Sequence, residues 1–336
     1  MKKILAVLLS LVLSLSLLTA CGGESSSGSG SASGDTADGY TIGVVQYATH
    51  ASLDNCYNGF IEGLKEAGIE EGVNLTIDFV NANGSASDVE LAAKKHGHQK
   101  PDLLLGVATP AAMALYSAAK DSDIPVIFNA VSDPVSAQLV SSLENPGNNC
   151  TGTSDLIPAE AMLKLIKAFL PDATTVGVLY TTSEPNSLTQ LELLKASAEP
   201  LGLTIVEQGI TNESEVASGA QALTAKGVDC IQNTTDNNVV NNLSVVLKAA
   251  EDAGIPVFGS EVEQVRNGCI ACEGIDYLEL GRQTGLFAAK ILKGEATAAE
   301  TAVIQVSDST PAYNSAVMEQ FGITLPDSYN NAEKVD

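Results

Sequence analysis

From Thr41 onward the chain repeats a single phrase, a short β-branched or apolar run followed by a longer amphipathic stretch, and no other feature narrows the fold as much. Residues 41–47 read as a strand. Residues 54–68 read as a helix, with Tyr57, Phe60, Ile61 and Leu64 at helical spacing before Gly68 ends it. The alternation continues with strands at 74–80, 103–107, 125–131 and 150–154. Between them lie helices at 87–95 and 111–120, the latter with Pro110 in its first turn, and a short helical stretch at 135–143. The pattern then restarts, with helices at 158–170, 186–198, 215–225 and 239–253 interleaved with strands at 175–180, 203–210, 228–233 and 256–259. Parallel strands need a crossover long enough to hold a helix, so this order predicts α/β architecture with helices on both faces of parallel sheets. Two such series predict two similar lobes, each a doubly wound parallel sheet.

In open parallel sheets, ligands bind beyond the carboxyl ends of the strands. The residues there are Gln46, Tyr47 and His50; Thr109, Pro110 and Ala111; Ser132 and Asp133; Ser154 and Asp155; Ser183 and Asn186; Asp236 and Asn237; Glu261; and Asp276. Small hydroxyls, Asx residues and acids are also the preferred helix N-caps, and capping explains any one of them equally well. Taken together, helix N-termini offer free N–H groups to a carboxylate, and the acids offer negative charge to an ammonium. A cleft holding both would take a zwitterion such as an amino acid. Tyr47, Phe128, Tyr180 and Tyr277 could line a pocket for an aromatic side chain or fill the core. The absence of tryptophan weighs against a sugar-stacking site.

No Gly-x-Gly-x-x-Gly or phosphate-binding loop opens a helix, so no cofactor is expected. No Gly-x-Ser-x-Gly marks a nucleophile, and His96 and His98 lie two apart on a helix, facing different ways, so neither an enzyme nor a metal site is expected. Cys56, Cys150, Cys230, Cys269 and Cys272 read as buried thiols, the Cys269–Cys272 pair falling in a buried strand.

The first 20 residues are of another kind. Lys2 and Lys3 precede an apolar and hydroxyl run over 4–18, too short to span a bilayer comfortably, as in a secretory signal. The run ends in Leu18-Thr19-Ala20-Cys21, which resembles a bacterial lipobox. That resemblance implies cleavage before Cys21 and lipid on its sulfur. A Ser/Gly-rich tether over 21–39 follows, with a reach of roughly 25 Å. The formal charge is −24, and loss of the two lysines leaves 15 basic against 41 acidic residues, or −26. Such a chain repels nucleic acid. The expected place of work is extracytoplasmic, lipid-anchored to a bacterial membrane.

Specific stretches carry a family likeness. They are Gln46-Tyr47 with His50, Leu53 and Asp54; Ala108-Thr109-Pro110-Ala111; Asn129-Ala130-Val131-Ser132-Asp133-Pro134; Thr151-Gly152-Thr153-Ser154-Asp155; Gly177-Val178-Leu179-Tyr180; Thr235-Asp236-Asn237; and Gly274-Ile275-Asp276-Tyr277 with Leu280-Gly281-Arg282-Gln283-Thr284-Gly285. In combination they resemble the substrate-binding lipoproteins of ABC importers, in the subfamily that includes tryptophan- and other aromatic-amino-acid-binding members. The likeness runs from residue 40 to about 325. His96-Gly97-His98-Gln99 and the Cys269–Cys272 pair depart from it, away from the cleft. The resemblance implies a type I periplasmic-binding fold, two lobes joined by three crossovers that close by a hinge. It divides the chain into a first lobe of 40–154 plus 277–304 and a second of 155–276 plus 305–330. It implies capture of a small zwitterion, an aromatic amino acid foremost, and delivery to an ABC permease with its ATPase. Gln46, Thr109, Ser132 and Asp133 would bind first, and Ser183, Asn186, Asp236 and Asn237 would close over the ligand. Thr109–Ala111 and Ser183 suit the carboxylate; Asp155, Asp236 and Asp276 remain open as partners of the ammonium. A ligand-sensing partner of a signalling receptor, or a binder of another polar solute, is the alternative.

Overall fold

The computed structural model describes residues 39–305 and 309–335; the expected signal peptide, Cys21 and the tether up to residue 38 lie outside the described residues. The chain runs β1 (Tyr40–Gln46), α1 (Ala51–Glu66), β2 (Leu75–Asn81), α2 (Ala86–Gln99), β3 (Leu103–Val107), α3 (Thr109–Ala119), β4 (Val126–Asn129) and β5 (Cys150–Ser154). It continues through α4 (Ala159–Phe169), β6 (Thr175–Thr181), α5 (Pro185–Ala198), β7 (Thr204–Ile210), α6 (Val216–Thr224), β8 (Cys230–Gln232), α7 (Asn237–Asn241), α8 (Leu243–Ala253), β9 (Val257–Phe258), α9 (Val262–Arg266) and β10 (Ala271–Gly274). Then follow α10 (Tyr277–Leu292), β11 (Ile304–Gln305), β12 (Thr310–Asn314), α11 (Ser315–Phe321) and β13 (Glu333–Val335).

Six strands form one parallel sheet in the order β11-β5-β4-β3-β1-β2, and four form another in the order β7-β6-β8-β9. A third sheet, β10-β12-β13, is tied beside β9 by an isolated bridge from Gly259 to Cys272. The chain therefore passes between the two parallel sheets three times: after β5, after β10 and after β11. Burial follows topology. The central strand β3, Leu-Leu-Leu-Gly-Val, is buried along its whole length because helices cover both faces, whereas the edge strands β2 and β7 keep partly exposed positions. All five cysteines of the described residues are free and buried, as expected of small apolar side chains.

Helix α10 returns to the first sheet and packs on α1 at very short range. A Cβ at Gly59 would lie 2.0 Å from the Leu278 carbonyl oxygen, and one at Gly281 would lie 2.1 Å from that of Cys56. Only glycine permits this approach, which sets the start of α10, with Tyr277, beside the start of α1, with Ser52 and Leu53.

Two expectations need correction. Residues 135–143 form no helix: a turn over 134–138 gives way to irregular backbone, because Asp133 caps Val135 and Ser136 and Gln138 takes φ +59°. The helix expected over 239–253 is two helices, broken at Asn242, whose φ of −113° departs from the helix and whose amide turns back to the Asn238 carbonyl.

Candidate ligand-binding site

The first sheet reverses its strand order between β1 and β3, and the second between β6 and β8. At such switch points the flanking loops diverge and leave a crevice. A narrow cavity with only about 10 Å³ of room for a water-sized sphere lies there, lined by residues that follow β1, β3, β4 and β5 on one side and β6, β8 and β9 on the other, with Tyr277 at the start of α10. Typical small-molecule sites hold roughly 300–1,000 Å³, so the lobes are shut tightly here and must part to admit a ligand. A wider depression of about 650 Å³ between α2, α3 and the start of α5 is more open to solvent.

Two acids line the cavity. Asp155 Oδ1 accepts from Ser132 Oγ at 2.9 Å and Oδ2 from Tyr277 OH at 2.9 Å. Glu261 Oε2 accepts from Ser52 Oγ at 2.5 Å, a bond that joins α9 to α1 across the cleft. Burial raises the pKa of Asp155, and its two hydrogen bonds offset part of that. Burial, with the Asp155 charge adding to it, pushes Glu261 up to about 7. No lysine or arginine lines the cavity, so the pair has no cation to answer it.

A second cluster is built on Asn186, Asn237 and His50. Behind them sits Glu184, buried, whose Oε2 accepts from Asn237 Nδ2 at 2.7 Å, Asn237 N at 3.1 Å and Asn186 Nδ2 at 3.3 Å. Burial and the neighbouring Asp236 push Glu184 up to about 8. His50 Nε2 lies 3.4 Å from Asn237 Oδ1, and burial of its ring lowers it to about 4, so the imidazole is neutral at physiological pH.

The start of α3 supplies the positive counterpart. Its N-cap, Ala108, has no side chain to satisfy the first-turn amides, and Pro110 contributes no N–H. Ala108 and Thr109 line the cavity, so the orphan amides of this helix stand at its wall. Ala108 takes φ +76° and Ala130, also in the wall, φ +57°. Non-glycine residues held there are strained, and such strain collects at ligand sites.

Of the predicted positions, His50, Thr109, Ser132, Asp155, Asn186, Asn237 and Glu261 line the cavity. The others lie away from it. Gln46 is buried on Ala48 O and Asp54, and Tyr47 is in the core with its hydroxyl on Gly84 O. Ala111 is core, and Ser154 donates to Ser132 O. Pro110 and Ser183 face the outer depression beside α2. Asp133 and Asp276 are helix or turn caps, accepting from Ser136 N and Glu279 N. Asp236 is buried but saturated, accepting from Thr181 N, Thr181 Oγ1, Ser187 Oγ and Val239 N. Of the four candidate aromatics only Tyr277 reaches the cavity; Phe128 is fully buried core. The structure adds Leu53, Ala108, Ala130 and Thr235 to the lining, and next to lining residues the buried Glu184 and Gln190. Gln190 Nε2 spans the cleft, donating to Thr235 Oγ1 at 2.5 Å and Ser132 Oγ at 3.2 Å. Its place in the second turn of α5 removes it from any strand end, so no sequence signal marks it.

Residues 41–335 match the model of the ABC transporter substrate binding protein family. The chain belongs to that family. It is a solute-binding protein and not an enzyme, it works outside the cytoplasm, and the family pairs it with a membrane permease and its ATPase. It is 37% identical over 341 residues to the tyrosine-binding protein of Clostridioides difficile (strain R20291), covering 99% of this chain and 98% of that one. It is 38% identical to an ABC domain from Streptococcus pneumonia solved in complex with L-Trp, with a TM-score of 0.85 over 89% of this chain and 100% of the other. The ligand-free, open structure of a substrate binding protein with adhesive properties from Clostridium difficile is also 38% identical, yet its TM-score is 0.67 over 88% of this chain and 99% of that one. By that measure the arrangement here is nearer the complex than the ligand-free, open structure.

Proposed function

We propose that this protein captures an aromatic amino acid between its lobes, and that Asp155 and Glu261 receive the ammonium while the start of α3 receives the carboxylate. One observation carries the reading: a buried acid pair with no cationic side chain lines the same cavity as an uncapped helix N-terminus. That is the complement of a zwitterion, since each end of the ligand supplies the charge the wall lacks. Thr109 and Ser132 add hydroxyls, and Leu53 and Tyr277 add apolar surface for a ring. The tyrosine and tryptophan named for the two relatives share that ring and a hydrogen-bond donor on it. Asp236, with its donors already taken, and Asp276, exposed on its cap, are left out of the ammonium site.

In this reading the lobes are 40–154 plus 277–304 and 155–276 plus 305–330, hinged at the three crossovers. The lipobox-like segment supplies the anchor: signal cleavage leaves Cys21 lipidated, and the tether over 21–39 lets the closed lobes reach a permease. Thermal unfolding against a panel of amino acids, sugars and nucleosides tests the claim. A ligand at 100 times its dissociation constant adds about 2.7 kcal/mol, a shift of several degrees. Stabilisation by tyrosine or tryptophan is expected; stabilisation by a sugar or nucleoside alone removes the amino-acid reading.

A further inference from the structure

Asn186 Oδ1 and His50 Nδ1 are buried in the cavity wall, and neither has a hydrogen-bond partner. Chemistry dictates how they face. The Asn186 amide donates to the Thr235 carbonyl at 3.1 Å, and a carbonyl only accepts, so the nitrogen is held there and Oδ1 is turned away. The Asn237 amide nitrogen is likewise held by Glu184, so its Oδ1 is the atom that meets His50 Nε2. That nitrogen therefore carries the ring proton of a neutral imidazole, and Nδ1 is left as a bare acceptor. Buried acceptors without partners are rare, and each costs free energy until something donates to it.

We infer that Asn186 Oδ1 and His50 Nδ1 form a specificity subsite for a hydrogen-bond donor on the ligand's side-chain ring, a phenol O–H or an indole N–H. The inference rests on the proposed aromatic amino-acid site and adds what that site selects for. Both acceptors are neutral, whereas Asp155 and Glu261 in the same wall are acids without a cation, so the charged ammonium goes to the acids and a neutral donor is left for the amide and imidazole. A phenyl or aliphatic side chain leaves both acceptors unpaired. Sites built to bond a donor reject the analogue without one far more strongly than an apolar pocket rejects a missing methylene. Glu184 is a positioning residue here, because it turns the Asn237 carbonyl oxygen toward the ring of His50.

Calorimetric titration of the protein with L-tyrosine, L-tryptophan and L-phenylalanine tests this without any variant. At least one of the first two is expected to bind at least tenfold more tightly than phenylalanine. Asn186→Leu and His50→Phe are each expected to weaken the favoured ligand by several-fold more than they weaken phenylalanine, so that the preference shrinks. Phenylalanine binding as tightly as both others overturns the inference and leaves the proposed function standing. A loss that is equal for all three ligands in Asn186→Leu overturns it too, since the orphan acceptors would then hold the backbone ammonium. Failure of all three to bind overturns the proposed function and this inference with it.

Discussion

Asp155 and Asp236 are both buried aspartates just past the end of a parallel strand, one beyond β5 and the other beyond β8. They differ in what surrounds them. Asp236 accepts from two backbone amides and two hydroxyls, all in its own lobe. Asp155 accepts from two hydroxyls, Ser132 and Tyr277, and faces a cavity that contains a second acid. In the proposed function the same side chain is scaffold in one place and recognition group in the other. An acid whose lone pairs are filled by fixed donors holds a loop; an acid left short of donors, near another acid, awaits a cation.

The largest effect expected from this contrast is structural. Asp236→Ala leaves buried donors at Thr181, Ser187 and Val239 unpaired and removes the α7 cap, so it should destabilise the protein by about 3 kcal/mol, read as a lower urea midpoint. Asp155→Asn should do the opposite. It keeps shape and removes a buried charge, so stability should hold within about 1 kcal/mol while amino-acid affinity falls about 30-fold or more, as for truncation of a buried ion pair. If Asp155→Asn unfolds the protein and Asp236→Ala abolishes binding in a stable fold, the two roles are reversed.

The pH dependence sharpens the contrast. Glu261 at about 7 and Glu184 at about 8 hold protons more tightly folded than at their ordinary 4.5. The folded state thus binds more protons than the unfolded one between pH 4.5 and 8, and ligand-free stability should fall by several kcal/mol as pH rises through that window. A bound ammonium favours the charged form of Glu261, so the thermal shift produced by the ligand should be larger at pH 8 than at pH 5.5. Glu261→Gln should flatten that difference. The smallest effect is assigned to Ser52→Ala, which removes one hydrogen bond between the lobes and should weaken affinity a few-fold, less than about 1 kcal/mol.

The fold was legible because period and order carry it. Alternation placed both parallel sheets, and β3 and β5 lie at the expected residues. Its failures are local: Gln138 with positive φ and the break at Asn242 depend on backbone angles that neither residue type announces. The lining of the candidate cavity was half legible. Strand ends collected Asp155, Glu261, Asn186 and Asn237, but also Asp133, Asp236 and Asp276, because an N-cap and a ligand group are the same residue types at the same positions. Only the tally of donors around each acid separates them. Ser183 and Glu184 are neighbours, and the exposed one was favoured over the buried one because burial is not written in the local sequence. Ala108 and Ala130 carry the strained backbone of the cavity wall without the glycine that usually signals it.

The most direct test of the acid pair is one titration. The tighter binder of L-tyrosine and L-tryptophan is compared at pH 7.5 with the same molecule lacking its amino group. If Asp155 and Glu261 hold the ammonium, the desamino compound, whose carboxylate and ring are intact, should bind at least 100-fold more weakly. Equal affinity would contradict the account, for the two acids would then face the cavity without recognising anything in it.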